Sequence, residues 1–403
     1  MSTGHDRRLL LPAAVGSRIS PARSPFVAAR IGIAIAVTVT ICFVTGLISH
    51  WIQHPPDWFR WPAHPVWLYR VTQGTHVISG VVTIPLVLVK LWSVYPRLFA
   101  RPAIGGPVRL AERGSIAVLV AAMLFQLATG LFNIAQFYAW RFFFTTTHYA
   151  MAYVAFGALA IHVAVKLPTV RAALGGDDGA AVTGAGSESA TVPTIDPVAD
   201  ARPGEQAVSR RTVLGAAAVS AGLAGLSVAG QSVPWLRRIS VLAPRSGMGP
   251  LGVPVNRTAA QASVTERALD PEYRLTVSVA RSRRTFSRTE LARLPQTTVD
   301  LPISCVEGWS VSARWTGVRL RDLLESVGDY RGGAVGFRSL ESTGLYGSST
   351  LPHNFAIDDA TLVALRLNGS DLDVDHGYPC RLIAPSRPGV LQTKWLSAIE
   401  VLR

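Results

Sequence analysis

The sequence predicts a membrane bundle of four apolar helices plus a fifth, followed by a separate α+β domain. Three observations predict it. Hydrophobic residues make up 49% of the 403 and charged residues only 16%, against roughly a quarter charged in an ordinary soluble protein. The long uncharged runs all fall before residue 237. Beyond about 250 the texture changes to short strands and turns. A disulfide scaffold is excluded, because three cysteines (Cys42, Cys305, Cys380) in a chain this long form no framework.

The apolar runs are Ile31–Ser49, Val71–Val89, Ser115–Ile134, Tyr149–Val165 and Thr212–Val233, each near the ~20 residues a helix needs to cross about 30 Å of hydrocarbon. They are apolar around the whole circumference, and backbone groups in lipid must bond internally, so they read as helices. Arginine placement sets their sidedness. Arg7, Arg8, Arg18, Arg23 and Arg30 precede the first span, and Lys90, Arg97, Arg101, Arg109 and Arg113 stand between the second and third. Both segments belong in the cytoplasm. Segments 50–70 and 135–148 are rich in Trp, Tyr and Phe and read as an outer interface belt. The expectation is a multi-pass protein of the cell membrane, N-terminus cytoplasmic and C-terminal domain extracytoplasmic.

The expected divisions are a cytoplasmic tail (1–25), a four-helix membrane domain (26–170), a flexible linker (171–208), a fifth helix (209–236) and an external domain (237–403). The linker is Gly, Ala, Ser, Asp and Pro, too poor in large apolar groups to offset ordering entropy. After it, Ser209-Arg210-Arg211-Thr212 before a Gly/Ala-rich apolar stretch resembles an internal twin-arginine export signal. The plainer alternative is a fifth span with two positive-inside arginines. The net charge of +14 does not indicate nucleic acid: residues 237–403 hold a net of only +5, and no recognition motif accompanies the remainder.

Three histidines fall inside apolar spans. His76 lies about two turns into the second, His148 opens the fourth, and His162 follows 14 residues later, a rotation of about 1400° and a rise of ~21 Å that put both on one face. Intramembrane ionisable groups face a bundle interior with a partner, and a neutral imidazole can ligate haem iron. The alternative is satisfied polar residues at helix ends. His50, His54 and His64 read as solvated interface residues, with His50 a fallback ligand. On these residues the first 167 positions resemble the four-helix b-type cytochrome subunits of membrane-bound formate dehydrogenases, hydrogenases and thiosulfate reductases. The resemblance implies an outer haem b on His76 and His148, with His162 the candidate for an inner haem. The first span lacks the histidine an inner haem would need, which argues for one haem.

In the external domain, Tyr273–Ala280 and Thr297–Ser304 read as strands, Leu320–Val327 as a short helix, and Ala334–Leu340, Thr361–Leu367, Cys380–Ala384 and Leu396–Leu402 as further strands. Cys305 follows the second strand. A lone cysteine is more often a small core residue, and no Cys or His spacing fits zinc. The string CVEGWSVSARWTGVRLRDLLESVG around Cys305 nevertheless resembles the segment holding the metal-binding cysteine of the sulfite-oxidase-like molybdopterin family, particularly its periplasmic methionine sulfoxide reductase branch. Leu345–Pro352, Asp358–Leu372, Asp375–Pro385 and Lys394-Trp395 match in order.

That resemblance implies a sulfite-oxidase-like α+β molybdopterin domain with Cys305 as the thiolate ligand of molybdenum and Tyr346 as a phenol reaching the metal's oxygen-bearing side. Asn256, Arg257, His376, Arg381 and Lys394 would hold the anionic pterin, and a cation-rich pocket would favour the thiolate. Val306-Glu307 replaces the arginine pair that receives sulfite in the animal enzymes, which shifts the expectation from sulfite to an S-oxide or N-oxide. Together these features read as a membrane-anchored molybdopterin-dependent oxidoreductase carrying molybdenum-molybdopterin and haem b. It would transfer an oxygen atom to or from a small molecule and exchange electrons with a membrane quinone or another carrier. The alternative is a non-catalytic redox relay or binding module carried on a membrane cytochrome.

Overall fold

A computed structural model describes residues 23–98, 106–175, 208–243, 249–342, 344 and 346–402. Most of the expected tail and linker, and Leu345 of the matched motifs, lie outside the described residues. The apolar runs form α1 (Pro25–Gln53), α2 (Leu68–Leu98), α3 (Pro107–Ile134), α4 (Phe144–Gly175) and α5 (Arg210–Ala229). All five are long and apolar enough to cross a membrane. Local chemistry sets their ends. The Ser24 hydroxyl accepts from the Val27 N–H at 3.3 Å at the start of α1, which stops before Pro55-Pro56. Pro107 opens α3, where a missing N–H costs nothing, and the Ser209 hydroxyl caps α5 on the Thr212 N–H at 3.1 Å.

The chain divides into two compact units that cut across the expected boundaries. One comprises 1–39, 82–125 and 153–223, and the other 40–81, 126–152 and 224–403. In the first, the Lys90 ammonium donates to the Ala28 carbonyl at 2.6 Å and the Thr83 hydroxyl to that of Thr38 at 2.8 Å, which satisfies polar groups among apolar helices. The second joins helix segments to the whole C-terminal domain. Hydropathy marks a segment as apolar without naming its neighbour, which is why a boundary at 237 was expected.

The C-terminal domain has two sheets. The strands are β1 (Leu275–Val279), β2 (Ser282–Phe286), β3 (Thr297–Ser304), β4 (Ser310–Arg319), β5 (Val335–Ser339), β6 (Ser348–Leu351), β7 (Leu362–Leu367), β8 (Ser370–Asp371), β9 (Arg381–Ile383) and β10 (Leu396–Val401). One sheet has the order β2-β1-β10-β5-β6, and the other β3-β4-β7-β8 with β9 also on β7. Among the described strand pairs only β1 with β10 is parallel. Short helices α6 (Thr265–Leu269), α7 (Arg288–Arg293), α8 (Leu320–Glu325) and α9 (His353–Ala356) fill the connections. Leu320, Leu323 and Leu324 bury one face of α8 in the core with Val277, Phe337 and Val363, each such side chain contributing about 1.5–3 kcal/mol. A second cluster around Trp315 and Leu367 includes Cys305.

The expected strands and the short helix form, trimmed by a residue or two at several ends. The central strand β4 was not expected, because Ser312 and Arg314 interrupt its apolar pattern on the exposed face. It nevertheless pairs with the whole of β3 through Ser310–Gly317 and with β7 on its other edge. Gly317 makes the second pairing possible: a Cβ there would stand 2.2 Å from the Val363 carbonyl oxygen.

Candidate functional site

Cys305 stands at the start of the five-residue turn between β3 and β4, whose last pair is Ser304 with Ser310. The turn is closed by Cys305 N–H donating to the Trp309 carbonyl at 2.8 Å and Gly308 N–H to that of Cys305 at 3.1 Å. Gly308 has φ +103°, and a Cβ on it would meet Val77 at 2.7 Å and Gln231 at 2.8 Å. Only glycine fits both the left-handed backbone and that close approach.

Helix segments of the same unit grip this turn. Gln73 of α2 donates to the Val306 carbonyl at 2.9 Å, Ser232 to that of Gly308 at 3.2 Å, and Arg237 to that of Ser310 at 3.0 Å. Arg70 donates to the Ser310 and Ser312 hydroxyls at 2.8 and 2.7 Å. Glu307, 8% exposed, accepts from Gln136 at 2.7 Å and from the Trp309 indole at 3.1 Å. Sequence reading noted Glu307 only as part of the pair that stands where the animal enzymes carry arginines, and gave it no place among the site residues. The aromatic belt serves two purposes here: Trp61 donates to the Ser386 carbonyl at 2.8 Å, and Tyr69 is buried against Ser49. His64, expected to be solvated, faces Asp358 at 2.8 Å while staying largely exposed.

The Cys305 thiol opens into a pocket of about 70 Å³, or about 690 Å³ counting its open mouth, that brings together Asn256, Arg257, Tyr346, His376, Arg381 and Lys394. Every C-terminal site residue expected from the sequence is therefore gathered at one place. Asn256 Nδ2 lies 3.9 Å from Cys305 Sγ. Arg257 pairs with Glu341 at 2.6 Å. The Lys394 ammonium donates to the Arg257 and Asp375 carbonyls at 2.6 and 3.0 Å. His376 donates from Nε2 to the Pro250 carbonyl at 2.8 Å, which fixes its tautomer. Arg381 spends its fork on the carbonyls of His376 and Gln392 at 3.0 and 3.1 Å. It thus ties the pocket wall together from within, where a direct grip on phosphate was expected.

Burial dominates the electrostatics. It lowers Lys394 to about 7, with Arg381 adding repulsion, His376 to about 4, again with Arg381 second, and Arg381 itself to about 9. An anion in the pocket would relieve all three. Burial also pushes the Cys305 thiol well above its usual range, and Glu307 pushes the same way. The expected cation-favoured thiolate is thus not what the protein alone provides; a metal cation is needed to hold the deprotonated form. Tyr346 is raised by burial and by Cys305 and Glu307, so it keeps its phenolic proton.

These residues fit a phosphate-bearing, sulfur-ligated metal group. The pocket offers one buried thiol, buried cations, and two polar atoms with no partner among the described residues, Arg257 Nε and Gln392 Oε1. No cluster of three or more His, Cys, Asp or Glu suited to an ordinary metal ion occurs among the described residues.

Elsewhere in the same unit, the rings of His76 and His148 have centroids 6.4 Å apart. A metal bonded at about 2.0–2.1 Å to two opposed imidazoles, with about 1.2 Å more to each ring centre, separates them by roughly 6.4–6.6 Å. The Nδ1 atoms face the Cys42 carbonyl at 2.8 Å and the Thr129 hydroxyl at 3.1 Å, which leaves both Nε2 atoms for a ligand. Gly46 and Gly130 flank the rings: a Cβ would stand 3.0 Å from His76 Cε1 and 3.7 Å from His148 Cε1. The pair fits an axially held haem. His162 belongs to the other unit, half-buried on α4. His50 stacks on Tyr149 with centroids 3.6 Å apart.

Residues 261–403 match the family described as oxidoreductase molybdopterin binding domain. The C-terminal part of the chain is thus a molybdopterin-binding oxidoreductase domain of the sulfite-oxidase type. A nitrate reductase [NADH] of Ulva prolifera is 30% identical over 143 residues, covering 28% of this chain and 16% of its own. Human mitochondrial sulfite oxidase is 35% identical over 97 residues, 22% of this chain and 18% of its own. The putative protein-methionine-sulfoxide reductase subunit YedZ1 of Azospira oryzae is 29% identical over 131 residues, 32% of this chain and 48% of its own. The chain thus spans less than half the length of each of these relatives.

Proposed function

We propose that the protein is a membrane-anchored molybdenum oxidoreductase whose external domain reduces an S-oxide or N-oxide, with electrons delivered through a haem b on His76 and His148. One observation carries the reading. Gln73, a single turn before His76 on α2, donates at 2.9 Å to the carbonyl of Val306, the residue after Cys305. The two candidate cofactor sites are therefore joined through one helix turn and one hydrogen bond.

Bound molybdopterin would supply two-electron oxygen-atom exchange, and each reduced oxide consumes two electrons and two protons and releases water. The chain's own residues hold and orient. Cys305 would ligate the metal with Asn256 donating toward the sulfur, and Arg257, His376 and Lys394 would hold the pterin, with Arg381 keeping that wall rigid. Tyr346 keeps its proton and donates a hydrogen bond to the departing oxygen. Glu307 places a carboxylate beside the metal ligand where the animal enzymes carry sulfite-receiving arginines, which favours an uncharged oxide over sulfite. A membrane quinol is the electron source.

The helices span the cell membrane with the N-terminus inside and the C-terminal domain outside. The ends read as outer are the same ones that bond to that domain, through Trp61, Arg70 and Gln73, which supports this sidedness. Arg210 and Arg211 act as an internal export signal. Elemental analysis and an optical spectrum of the purified protein test the reading: one molybdenum and reduced b-type absorption bands are expected, and absence of molybdenum would refute it.

A further inference from the structure

Next to the candidate cofactor pocket lies a second cleft of about 910 Å³ without its mouth and about 1940 Å³ with it, with Tyr346 in the walls of both. It is at the upper end of the size range of small-molecule sites. Its walls combine apolar groups, among them Ile52, Phe143 and Leu391, with one unusual cation. Arg387 is 4% exposed, yet it has no carboxylate partner among the described residues.

Its Nη2 donates to the Thr350 carbonyl at 3.0 Å, its guanidinium lies over the Phe355 ring, and its buried Nε has no partner among the described residues. Burial holds its pKa down at about 10. The other strong charges in the cleft, Arg338 and Glu400, pair with each other at 3.1 Å. A buried guanidinium without a counter-ion is costly unless something anionic comes to it.

We propose that this cleft binds the carboxylate of an amphipathic organic acid, Arg387 taking the anion, with the substrate's oxide end reaching past Tyr346 into the cofactor pocket. The apolar wall takes the stretch between the two polar ends. The inference rests on the oxygen-transfer reading and narrows its substrate class. It also divides the labour of charge. Glu307 keeps anions from the reacting end, and Arg387 collects one at the far end.

Calorimetry on the oxidised full-length protein tests it without turnover, using 4-(methylsulfinyl)benzoate against uncharged methyl phenyl sulfoxide, and benzoate against benzyl alcohol. The two acids should bind at least tenfold more tightly than their neutral partners. Arg387→Gln should erase that preference with molybdenum content and neutral-ligand binding unchanged, and Arg387→Lys should keep part of it. If Arg387→Gln fails to fold, competition in the wild type decides: benzoate should displace the sulfinyl acid, and benzyl alcohol should not. Molybdenum-loaded protein that binds acids and neutral partners alike overturns the proposal and leaves the oxygen-transfer reading standing. Protein without molybdenum overturns that reading instead. Loss of benzoate binding in phosphatidylglycerol nanodiscs, but not in phosphatidylcholine ones, would give the site to a lipid headgroup and also overturn the proposal.

Discussion

The two walls of the cofactor pocket are held in opposite ways. The Cys305 turn is fastened from outside its own sheet, by Gln73, Gln136, Ser232 and Arg237. The wall of His376, Arg381 and Lys394 is fastened from within the C-terminal domain, by the carbonyls of Pro250, Gln392 and Asp375. The Cys305 turn is therefore positioned by residues on and beside the apolar helices, and the wall of buried cations by its own domain. A disturbance of the helix ends should move the sulfur and leave the cations where they are.

The largest expected effect removes the sulfur itself. Cys305→Ser should take molybdenum content close to zero by elemental analysis while the domain still unfolds cooperatively, since Cys305 is one small member of a larger apolar cluster. Gly308→Val comes next. A branched side chain at φ +103° and within 2.7 Å of Val77 costs on the order of 1–3 kcal/mol in backbone strain alone. Thermal unfolding should read the loss, and metal content should fall with it, because the turn must leave its helix contacts.

On the other wall the test is pH. Lys394 sits at about 7 in the folded protein against ~10.4 in an unfolded chain, so below pH 7 its buried charge opposes folding in full. That penalty fades as pH rises from 7 towards 10. The cofactor-free protein should therefore gain thermal stability across this window. Lys394→Met should remove Lys394's contribution to that rise and raise stability at pH 6. An identical pH profile in the two proteins would sink the assignment. The smallest effect is Gln136→Ala, which deletes one hydrogen bond to Glu307 and should cost about 1–2 kcal/mol. If it also shifts the metal's spectroscopic signature where Lys394→Met does not, the division between the walls stands.

Several parts of this arrangement were legible in the sequence for physical reasons. Helices without a polar stripe announce themselves by hydropathy alone, as Ile31–Ser49 does within α1. Strand β3 was readable over Thr297–Ser304 because a glycine-containing turn follows it. β4 was not, because exposed Ser312 and Arg314 carry no apolar signal and its partner β7 lies more than forty residues away. Cys305 and the pocket residues were reached through motif order, while Glu307 was legible only as a departure from the arginine pair, because a lone carboxylate in a sequence says nothing about its burial.

The sequence by itself determined which segments are apolar helices, which are strands, and which residue types stand near Cys305, since these depend on local pattern and on order along the chain. Tertiary structure decided what the thiol, the cations and the histidines face. Burial and partner identity arise from contacts between segments far apart in sequence: Gln73 on Val306, Gln136 on Glu307, and Arg387 in a cleft whose Glu400 carboxylate is taken by Arg338. Those long-range contacts set the pKa values and the spacing of the two imidazoles, and no local pattern encodes them.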